Sequence, residues 1–356
     1  MQKIFFAGAG SAGHVEPALA VAQWLRENTL GIEVHFLGTL GGLETSLVPA
    51  ANFPLHLIDK VPFPRHFNRQ LLTWPGRFRE ALESTQKLMT GADLVIGFGG
   101  YVAAPAYLSA RRAGIPIIAH EANAKMGLAN RVAKICGAKM LYAFGEREVD
   151  TVGIPLRLSI VNLALLQRAE REVAKKAALR HLNLDPDALT ILVFGGSLGS
   201  AKFNETIAAA QPEICRRGFQ IIHAVGAKNQ LPQSQGGYLA VPYIDDMALA
   251  YSAADLVIAR SGAVTVTETG VLGIYSLYIP LPIGNGEQAE NAKAVTHAGG
   301  GESLKNKEFT PDWLLSNIDR LGNLAKEWSS KGNKTDFPLY ASASIAAQAL
   351  KVLAYE

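Results

Sequence analysis

The chain has 356 residues, of which 49% are hydrophobic and 18% are charged, and its formal net charge is +3. This length exceeds what one hydrophobic core usually serves and predicts two domains. So small a positive charge argues against nucleic-acid binding, which requires strong basic clustering. The only two cysteines, Cys136 and Cys215, argue against a disulfide framework and against a cysteine-ligated metal.

The amino terminus, MQKIFFAGAGSAGH, passes from one lysine directly into a strand and a glycine turn. It lacks the long apolar core and the cleavage site of a signal peptide. No apolar run in the sequence approaches the length that spans a bilayer. We therefore expect a cytoplasmic protein, unless it lies on a membrane surface.

In chain order, the first half alternates apolar strands with amphipathic helices. The predicted strands cover 4–7, 33–37, 55–58, 94–97 and 116–119, and the predicted helices cover 15–27, 43–50, 77–89 and 107–113. This alternation is typical of a doubly wound α/β sheet.

The pattern restarts after Gly153 and Pro155 interrupt it. The second half contains a predicted polar helix over 162–181, a strand and glycine loop over 188–199, a strand, helix and strand over 255–280, and a last helix over 340–353. Such a restart predicts two Rossmann-like domains that face one another. We place the first domain at 1–155, the second at 156–338 and a final helical segment at 339–356.

The first glycine loop, with Gly8, Gly10 and Gly13, matches the dinucleotide fingerprint. A bound NAD or FAD also needs an acidic residue at the end of the next strand, which holds the ribose. That strand ends in Phe-Leu-Gly-Thr at 36–39, without a carboxylate. A loop that faces a phosphate or an acceptor is therefore favoured over a dinucleotide site and over a purely structural turn.

The stretch 260–291 carries the clearest ligand signal. Ser261 and Gly262 follow a buried strand and precede a predicted helix, as an N-cap and a tight turn would. The first amides of that helix form an anion site at the carboxyl end of the strand. Glu268 adds a carboxylate close by, and Gln288 lies in a second loop, GNGEQ. A site that offers hydrogen-bond donors to a diphosphate, beside hydrogen-bond acceptors for hydroxyl groups, fits a nucleotide sugar.

Other polar residues also lie where predicted strands end. His14 begins a helix beside the first glycine loop, and His120, Glu121 and Asn123 follow a strand directly. Titratable groups and amides at strand ends are candidates for a site. A His–Glu pair without a third ligand at a recognisable spacing argues against a tightly bound structural metal. Arg157, after the break, can bind a diphosphate through two N–H groups.

Two further loops in the second half offer ligand contacts. Ser197, in the glycine loop 195–199, can donate to a phosphate. Ile244 follows another short strand and offers an apolar surface to a flat base, while Asp245 is expected to cap a helix.

The segment 61–78, VPFPRHFNRQLLTWPGRF, mixes aromatic, aliphatic and basic residues unlike the rest of the chain. Part of it must enter the core. Aromatic and basic residues on one edge also suit shallow insertion among anionic headgroups. We therefore expect this segment to contact an anionic membrane surface.

Eight motifs occur in order along nearly the whole chain. They are GAGSAGHVEPALA (8–20), GFGGYVAAP (97–105), HEAN (120–123), VGIPLR (152–157), GGSLGSAKFN (195–204), YIDDM (243–247), RSGAVTVTE (260–268) and GNGEQAENA (284–292). With these motifs the sequence resembles the MurG family, the glycosyltransferases that move N-acetylglucosamine from UDP onto lipid I in peptidoglycan synthesis. The resemblance implies an α/β GT-B fold, in which two Rossmann-like doubly wound parallel-sheet domains face a central cleft and a carboxy-terminal helix crosses back to the first domain.

The resemblance also implies roles for individual residues. Those implied to bind UDP-GlcNAc are Ser11, Ala12, Gly13, Asn123, Arg157, Ser197, Ile244, Ala263, Val264, Thr265, Val266, Thr267, Glu268 and Gln288. Among them, Ile244 would meet the uracil, Glu268 the ribose hydroxyls and Gln288 the sugar hydroxyls, while Ser197 and 263–265 would bind the diphosphate. Gly99, Gly100 and Tyr101 would face the acceptor, and the loop 11–14 would face the acceptor diphosphate and the reacting sugar.

The implied reaction is an inverting displacement by the 4-hydroxyl of the MurNAc of lipid I, which gives lipid II and releases UDP. It needs a general base, for which His14 is favoured and Glu121 is the alternative. The resemblance implies work at the cytoplasmic face of the membrane, as a peripheral protein, with no tightly bound cofactor; stimulation by a divalent metal stays open. The alternatives are a transferase for another nucleotide sugar or lipid acceptor, a nucleotide-sugar epimerase, a dinucleotide oxidoreductase and a non-catalytic lipid-binding subunit.

Some positions depart from the pattern of the family. Ala9, Ala12 and Ala104 stand where glycine is common, Ile154 where asparagine is common and Tyr275 where proline is usual. None of these removes a proposed catalytic group, and we expect them to alter fine geometry only.

Overall fold

The computed structural model describes residues 1–61, 70–145, 150–282 and 286–354, with the backbone alone at 70–73. The chain divides into two compact units: unit 1, Met1–Arg157 with Pro338–Glu356, and unit 2, Leu158–Phe337. Each unit is built on a six-stranded parallel sheet. The prediction of two doubly wound α/β domains is confirmed. No helix in the described ranges has both the length and the hydropathy needed to cross a bilayer.

Unit 1 contains strands and helices, which are numbered here in the order of the whole chain. Its strands are β1 (Gln2–Gly8), β2 (Ile32–Gly38), β3 (Leu55–Leu57), β4 (Leu94–Gly99), β5 (Ile117–Glu121) and β6 (Lys139–Tyr142). Its helices are α1 (Ala12–Asn28), α2 (Glu44–Ala50), α3 (Gln70–Leu88), α4 (Ala103–Ala113), α5 (Leu128–Ile135) and α13 (Ala341–Ala354). The strand order is β3-β2-β1-β4-β5-β6.

Strand β1 explains how unit 1 buries both faces of its sheet. Its side chains alternate between faces because successive residues of a strand point to opposite sides. Ile4 and Phe6 pack with α1 and α13, whereas Phe5 and Ala7 pack with α4 and α5. All four are buried, which accounts for an apolar run rather than an alternating pattern in the sequence.

Unit 2 repeats this layout. Its strands are β7 (Leu189–Phe194), β8 (Phe219–Ala224), β9 (Tyr238–Val241), β10 (Leu256–Ala259), β11 (Tyr275–Tyr278) and β12 (Gly301–Ser303). Its helices are α6 (Leu158–Leu165), α7 (Arg168–His181), α8 (Ala201–Arg216), α9 (Met247–Ala253), α10 (Ala263–Leu272), α11 (Glu287–His297) and α12 (Pro311–Ser330). The strand order is β12-β11-β10-β7-β8-β9.

Both sheets reverse their strand order at one point, between β1 and β4 in unit 1 and between β7 and β10 in unit 2. Ligands of doubly wound sheets bind outside the carboxyl ends of the strands at such a switch point. The glycine loops that follow β1 and β7 therefore mark the two places where a site is expected.

Three local predictions are wrong. The single helix expected over 162–181 is two helices, α6 and α7, because Gln167 caps α7 and its amide donates to Glu170 Oε2 over 2.7 Å. Asp246, and not Asp245, is the N-cap of α9, where its carboxylate accepts from the Leu249 amide. Gly262, and not Ser261, is the N-cap of α10.

Candidate active site

In unit 1, the loops after β1 and β4 contact each other at the switch point. Gly8 pairs with Gly99 at the ends of the two strands. A side chain at Gly100 would lie 2.3 Å from the Ala9 carbonyl oxygen, and one at Gly99 would lie 3.2 Å from the His14 ring. Both glycines also have positive φ, which favours glycine. The two loops can approach this closely only because these positions lack side chains.

His14, in the first turn of α1, lies in this contact. Its Nδ1 is 3.0 Å from the Ser11 hydroxyl. Burial lowers the pKa of His14 below its ordinary value, while Glu121, the Ala9 carbonyl and Glu44 act in the opposite direction. The balance keeps the imidazole neutral near pH 7, in the state that accepts a proton.

Glu44 is a site residue that the sequence interpretation missed. It begins α2 and is fully buried. Its Oε1 accepts from the Thr39 amide over 2.9 Å and from the Thr39 hydroxyl over 3.2 Å, and its Oε2 accepts from the Gly10 amide over 2.8 Å. The expectation that no carboxylate lies at the end of β2 is therefore wrong, because α2 folds Glu44 back onto Thr39.

Glu121, at the end of β5, has both carboxylate oxygens occupied. Oε1 accepts from the amide and the side-chain nitrogen of Asn123, at 3.0 and 3.3 Å. Oε2 accepts from the Gly127 amide at 2.8 Å and from the Asn130 side chain at 2.9 Å. Glu121 is buried, so these donors fix the loop after β5 and orient Asn123.

Three other predicted residues of unit 1 have identified partners. The Tyr101 hydroxyl accepts a hydrogen bond from the Val61 amide, at the start of the segment 61–78, called the aromatic segment below. His120 is fully buried, with Nε2 2.8 Å from the Gly153 carbonyl oxygen, so it supports the chain before Arg157. Arg157 lies 3.6 Å from Glu16 of α1.

In unit 2, the amino end of α10 follows β10 directly. The amides of Ala263, Val264 and Thr265 are the first of this helix, where helix geometry supplies no acceptor. Unpaired amides at this point are the kind of group that binds an anion, as the sequence predicts for this loop. The side chains of Val266 and Thr267 are buried, and Val266 packs against Tyr278. The Val266 amide donates to the Gly262 carbonyl over 3.0 Å, so the backbone of this turn is already engaged within the helix.

Glu268 is buried in the second turn of α10. Its Oε2 accepts a hydrogen bond from the Tyr251 hydroxyl of α9 over 2.9 Å. Tyr251 is itself buried and its ring meets Phe194, the last residue of β7, edge to face. The sequence interpretation named Glu268 but not Tyr251, since their contact joins two helices separated by β10.

The other residues of unit 2 that are predicted to bind the nucleotide sugar lie at the same edge of the sheet. Ser197 is half-buried in the loop after β7, and Ile244 is half-buried between β9 and α9. Gln288 Oε1 accepts from the Leu281 amide over 2.9 Å, which fixes the first turn of α11. Residues 283–285 of the loop before it lie outside the described residues. The buried Asn291 of α11, also missed, donates to the Ser261 carbonyl over 3.3 Å.

Arg260 is the third missed residue of unit 2. It follows β10 and is buried, with its guanidinium 4.8 Å from the centre of the Phe203 ring. It donates to the Ile279 carbonyl at 2.9 Å, to Asn306 Oδ1 at 2.8 Å and to Ser200 Oγ at 3.0 Å. These acceptors are neutral, so Arg260 ties three loops together and leaves a buried positive charge in the segment that precedes α10.

The departures from the family pattern lie away from these groups or fit tightly among them. Tyr275 begins β11, at the opposite end of the strand, and its hydroxyl donates to Glu302. Ile154 is buried, and the buried Ala9 contacts Gly100. Within the described residues, no three His, Cys, Asp or Glu side chains lie close enough to bind a metal ion.

Comparison with known proteins shows the family to which the chain belongs. Residues 4–141 match the N-terminal domain of glycosyltransferase family 28, and residues 190–345 match its C-terminal domain. The UDP-N-acetylglucosamine–N-acetylmuramyl-(pentapeptide) pyrophosphoryl-undecaprenol N-acetylglucosamine transferase of Streptomyces coelicolor is 45% identical over 325 residues, covering 88% of each chain. The protein of the same name from Corynebacterium glutamicum (strain R) is 47% identical over 317 residues, covering 88% of this chain and 87% of that one.

A solved structure supports the same relationship. The crystal structure of Acinetobacter baumannii MurG has 30% sequence identity and a TM-score of 0.73, and the match covers 99% of this chain and 100% of that chain. The resemblance inferred from the eight motifs is confirmed. The chain belongs to the MurG family of glycosyltransferases and has the GT-B fold.

Proposed function

We propose that this protein transfers N-acetylglucosamine from UDP-GlcNAc to the 4-hydroxyl of the MurNAc of lipid I, giving lipid II for peptidoglycan. The observation that carries the proposal is the 45% identity with the Streptomyces coelicolor transferase over 88% of both chains. A match of this extent includes both switch-point sites, so donor and acceptor machinery belong to the one polypeptide.

Unit 2 binds the donor. The first amides of α10 receive the diphosphate, and the buried charge of Arg260 favours the same anion. Glu268 accepts from the ribose hydroxyls, Ile244 contacts the uracil and Gln288 recognises the sugar hydroxyls. As the bond from the sugar C1 to the diphosphate oxygen breaks, the electron pair leaves with UDP. The amides and the guanidinium stabilise that growing charge.

Unit 1 supplies the base. The acceptor hydroxyl oxygen attacks C1 of the donor sugar, and its proton passes to the imidazole of His14. His14 suits this role because burial keeps it neutral near pH 7. Glu121 suits it less, since four donors occupy its two oxygens and protonation would break at least one of those hydrogen bonds.

The lipid acceptor requires contact with a membrane, and the helical layer α3-α4-α5 of unit 1 provides a fitting surface. Helix α5 exposes Leu128 and Ile135 with Arg131 and Lys134 between them, all on one side of the helix. Basic side chains are also exposed on α3 and α4, at Arg77, Arg79, Arg111 and Arg112. Residues 62–69 of the aromatic segment lie outside the described residues. Exposed apolar and basic side chains together favour peripheral binding to anionic lipid at the cytoplasmic face.

The deciding experiment incubates the purified protein with UDP-GlcNAc and a lipid I analogue. We expect UDP release together with a disaccharide product. UDP-glucose and UDP-GalNAc serve as donor controls, and an acceptor without the 4-hydroxyl tests the site of transfer. UDP-GlcNAc turned over without any acceptor, to its epimer, would favour an epimerase and contradict the proposal.

A further inference from the structure

Glu44 is a fully buried carboxylate that touches the glycine loop of unit 1 and has no role in the transfer described above. Its oxygens connect three groups: the Gly10 amide, the Thr39 amide and the Thr39 hydroxyl. Gly10 belongs to the loop that leads into His14, and Thr39 follows β2. One side chain therefore joins the loop after β1 to the end of the neighbouring strand.

The surrounding backbone is shaped to admit this carboxylate. A Cβ at Gly42 would lie 2.1 Å from Glu44 Oε2, and a Cβ at Gly38 would lie 2.7 Å from Glu44 Cγ. Burying a carboxylate is costly unless donors surround it, and hydrogen bonds to charged groups are the stronger kind. The three donors meet that need, so the carboxylate and the loop fix each other in one arrangement.

Glu44 also acts electrostatically on the His14 ring. The charged groups that act on His14 are Glu121 from β5 and Glu44 from α2, with the Ala9 carbonyl as a further partner. Both carboxylates raise the pKa of His14 against the lowering effect of burial. The two neighbours differ in what else they hold, since Glu121 fixes the loop after β5 whereas Glu44 fixes the loop that carries His14.

We propose that Glu44 is a positioning residue for the glycosyl transfer, which fixes the Gly10 loop to Thr39 and thereby orients His14 toward the acceptor hydroxyl. This inference rests on the proposed function in one respect, the assignment of His14 as the base. The link from Glu44 through Gly10 to the His14 loop stands on geometry alone.

The same contact explains why a loop with the dinucleotide fingerprint does not serve a dinucleotide. In such sites the loop amides bind the pyrophosphate and an acidic residue after β2 binds the ribose. Here the acidic residue binds the Gly10 amide itself, so its negative charge lies where the pyrophosphate would approach.

The test replaces Glu44 with glutamine, which keeps the shape and removes the charge. In the carboxylate, Oε2 accepts from Gly10 and Oε1 accepts from Thr39. Glutamine replaces one of these oxygens by an NH2 group, which cannot accept, so one side of the connection is lost. We expect kcat to fall by about 10- to 100-fold, because small displacements of a reacting group cost that much. The Kd for UDP should stay within about twofold, since the nucleotide contacts proposed for unit 2 are untouched, whereas the loop 11–14 faces the sugar. Glu27→Gln, the same change on an exposed residue of α1, is the matched control.

A second readout is the titration of the His14 ring by NMR, with the signal assigned from a His14→Ala sample. Glu44→Gln should lower the pKa of His14, because an anion that favours the imidazolium is removed. This measurement needs no substrate, so it tests the link between Glu44 and His14 even if the wild-type protein makes no disaccharide and the proposed function fails.

Two outcomes would overturn the proposal. One is turnover by Glu44→Gln within twofold of wild type. The other is a pKa of His14 in Glu44→Gln identical to that in wild type, because any loss of turnover would then be explained by destabilisation of the fold. If Glu44→Gln does not fold, Gly42→Ala displaces the carboxylate without removing its charge, since the added methyl would collide with Oε2. Gly42→Ala should then lower kcat with UDP affinity retained, and unchanged kcat would refute the positioning role.

Discussion

The hydroxyl of Tyr251 donates to Glu268 Oε2 over 2.9 Å, between two side chains that are both buried. Tyr251 lies on α9 and Glu268 on α10, with β10 between them in the sequence. The hydrogen bond restrains the orientation of the Glu268 carboxylate, as a buried partner does for a ligand-binding side chain. Under the proposed function, recognition of UDP-GlcNAc in unit 2 depends on Tyr251 through Glu268.

The first prediction concerns this hydrogen bond. Tyr251→Phe removes the donor and retains the buried ring, so the fold should persist while Glu268 loses its orientation. A hydrogen bond of this kind contributes about 1 kcal/mol net, which corresponds to roughly a fivefold rise in the KM for UDP-GlcNAc. Glu268→Ala should raise the same KM further, with kcat less affected in both variants. Steady-state kinetics with varied donor concentration measures both effects, and an unchanged KM in Glu268→Ala would remove its ribose role.

The second prediction concerns the base. His14→Ala should lower kcat by about 10²- to 10⁴-fold, the usual contribution of a general base, with donor affinity nearly unchanged. His181→Ala, on the exposed end of α7, is the matched control and should keep full turnover. Intact turnover by His14→Ala would exclude His14 as the base and return attention to Glu121.

The pH profile gives an independent check on His14. A base must be unprotonated to act, so activity should rise with pH through the His14 pKa and then level off. Burial lowers that pKa, which places the acidic limb of kcat/KM below pH 6.5, the ordinary value for histidine. An acidic limb clearly above pH 6.5 would mean that another group titrates in the profile.

The two-domain fold was predictable from the sequence, because the period of the apolar residues and the glycine loops are local signals. Helix α10, for example, lies within the strand, helix and strand predicted over 255–280. The partners of the site residues were not predictable. Tyr251 reaches Glu268 across β10, and Asn291 reaches Ser261 across 30 positions of the chain. Such contacts depend on tertiary packing, and no spacing rule encodes them.

Glu44 shows a second limit of prediction from the sequence. The rule for dinucleotide sites looks for a carboxylate at the end of β2, and the sequence has none at 36–39. The structure brings one there from the first residue of α2, five positions beyond Thr39. The GLET segment, with an acid directly before an amphipathic run, carried a weak signal that an acidic residue begins a helix at this point.

The third prediction concerns membrane binding through α5. Leu128→Ser with Ile135→Ser should weaken binding to vesicles that contain anionic phospholipid, because both side chains are exposed and apolar. Arg131→Gln and Lys134→Gln should each weaken it by about 1 kcal/mol, or roughly fivefold, with less effect at high salt. Leu30→Ser, an equally exposed residue of unit 1, is the control for co-sedimentation. Binding that survives the loss of all four side chains would exclude α5 as a contact.

The fourth prediction concerns stability in acid. His120 of unit 1 and His223 of unit 2 are buried, and burial lowers the pKa of each to about 4. Both histidines titrate near pH 6.5 in the unfolded chain. Between these values the unfolded state binds protons that the folded state does not. The free energy of unfolding should therefore be highest above pH 6.5 and should fall as the pH drops to 4. Below pH 4 these two histidines should cause no further decrease.

The pH window separates this effect from that of the carboxylates. Arg320 lowers the pKa of Glu302 below its ordinary value of 4.5, so the stability that this pair contributes is lost only at lower pH. Between pH 6.5 and 5, histidines dominate, and each buried one can account for up to about 3 kcal/mol across its full range. Denaturant unfolding at pH 7, 6 and 5 measures the slope, and His223→Gln should flatten it for unit 2 while the exposed His181→Gln leaves it unchanged. A free energy of unfolding that is constant from pH 7 to 5 would show that neither buried imidazole stays neutral in the folded protein.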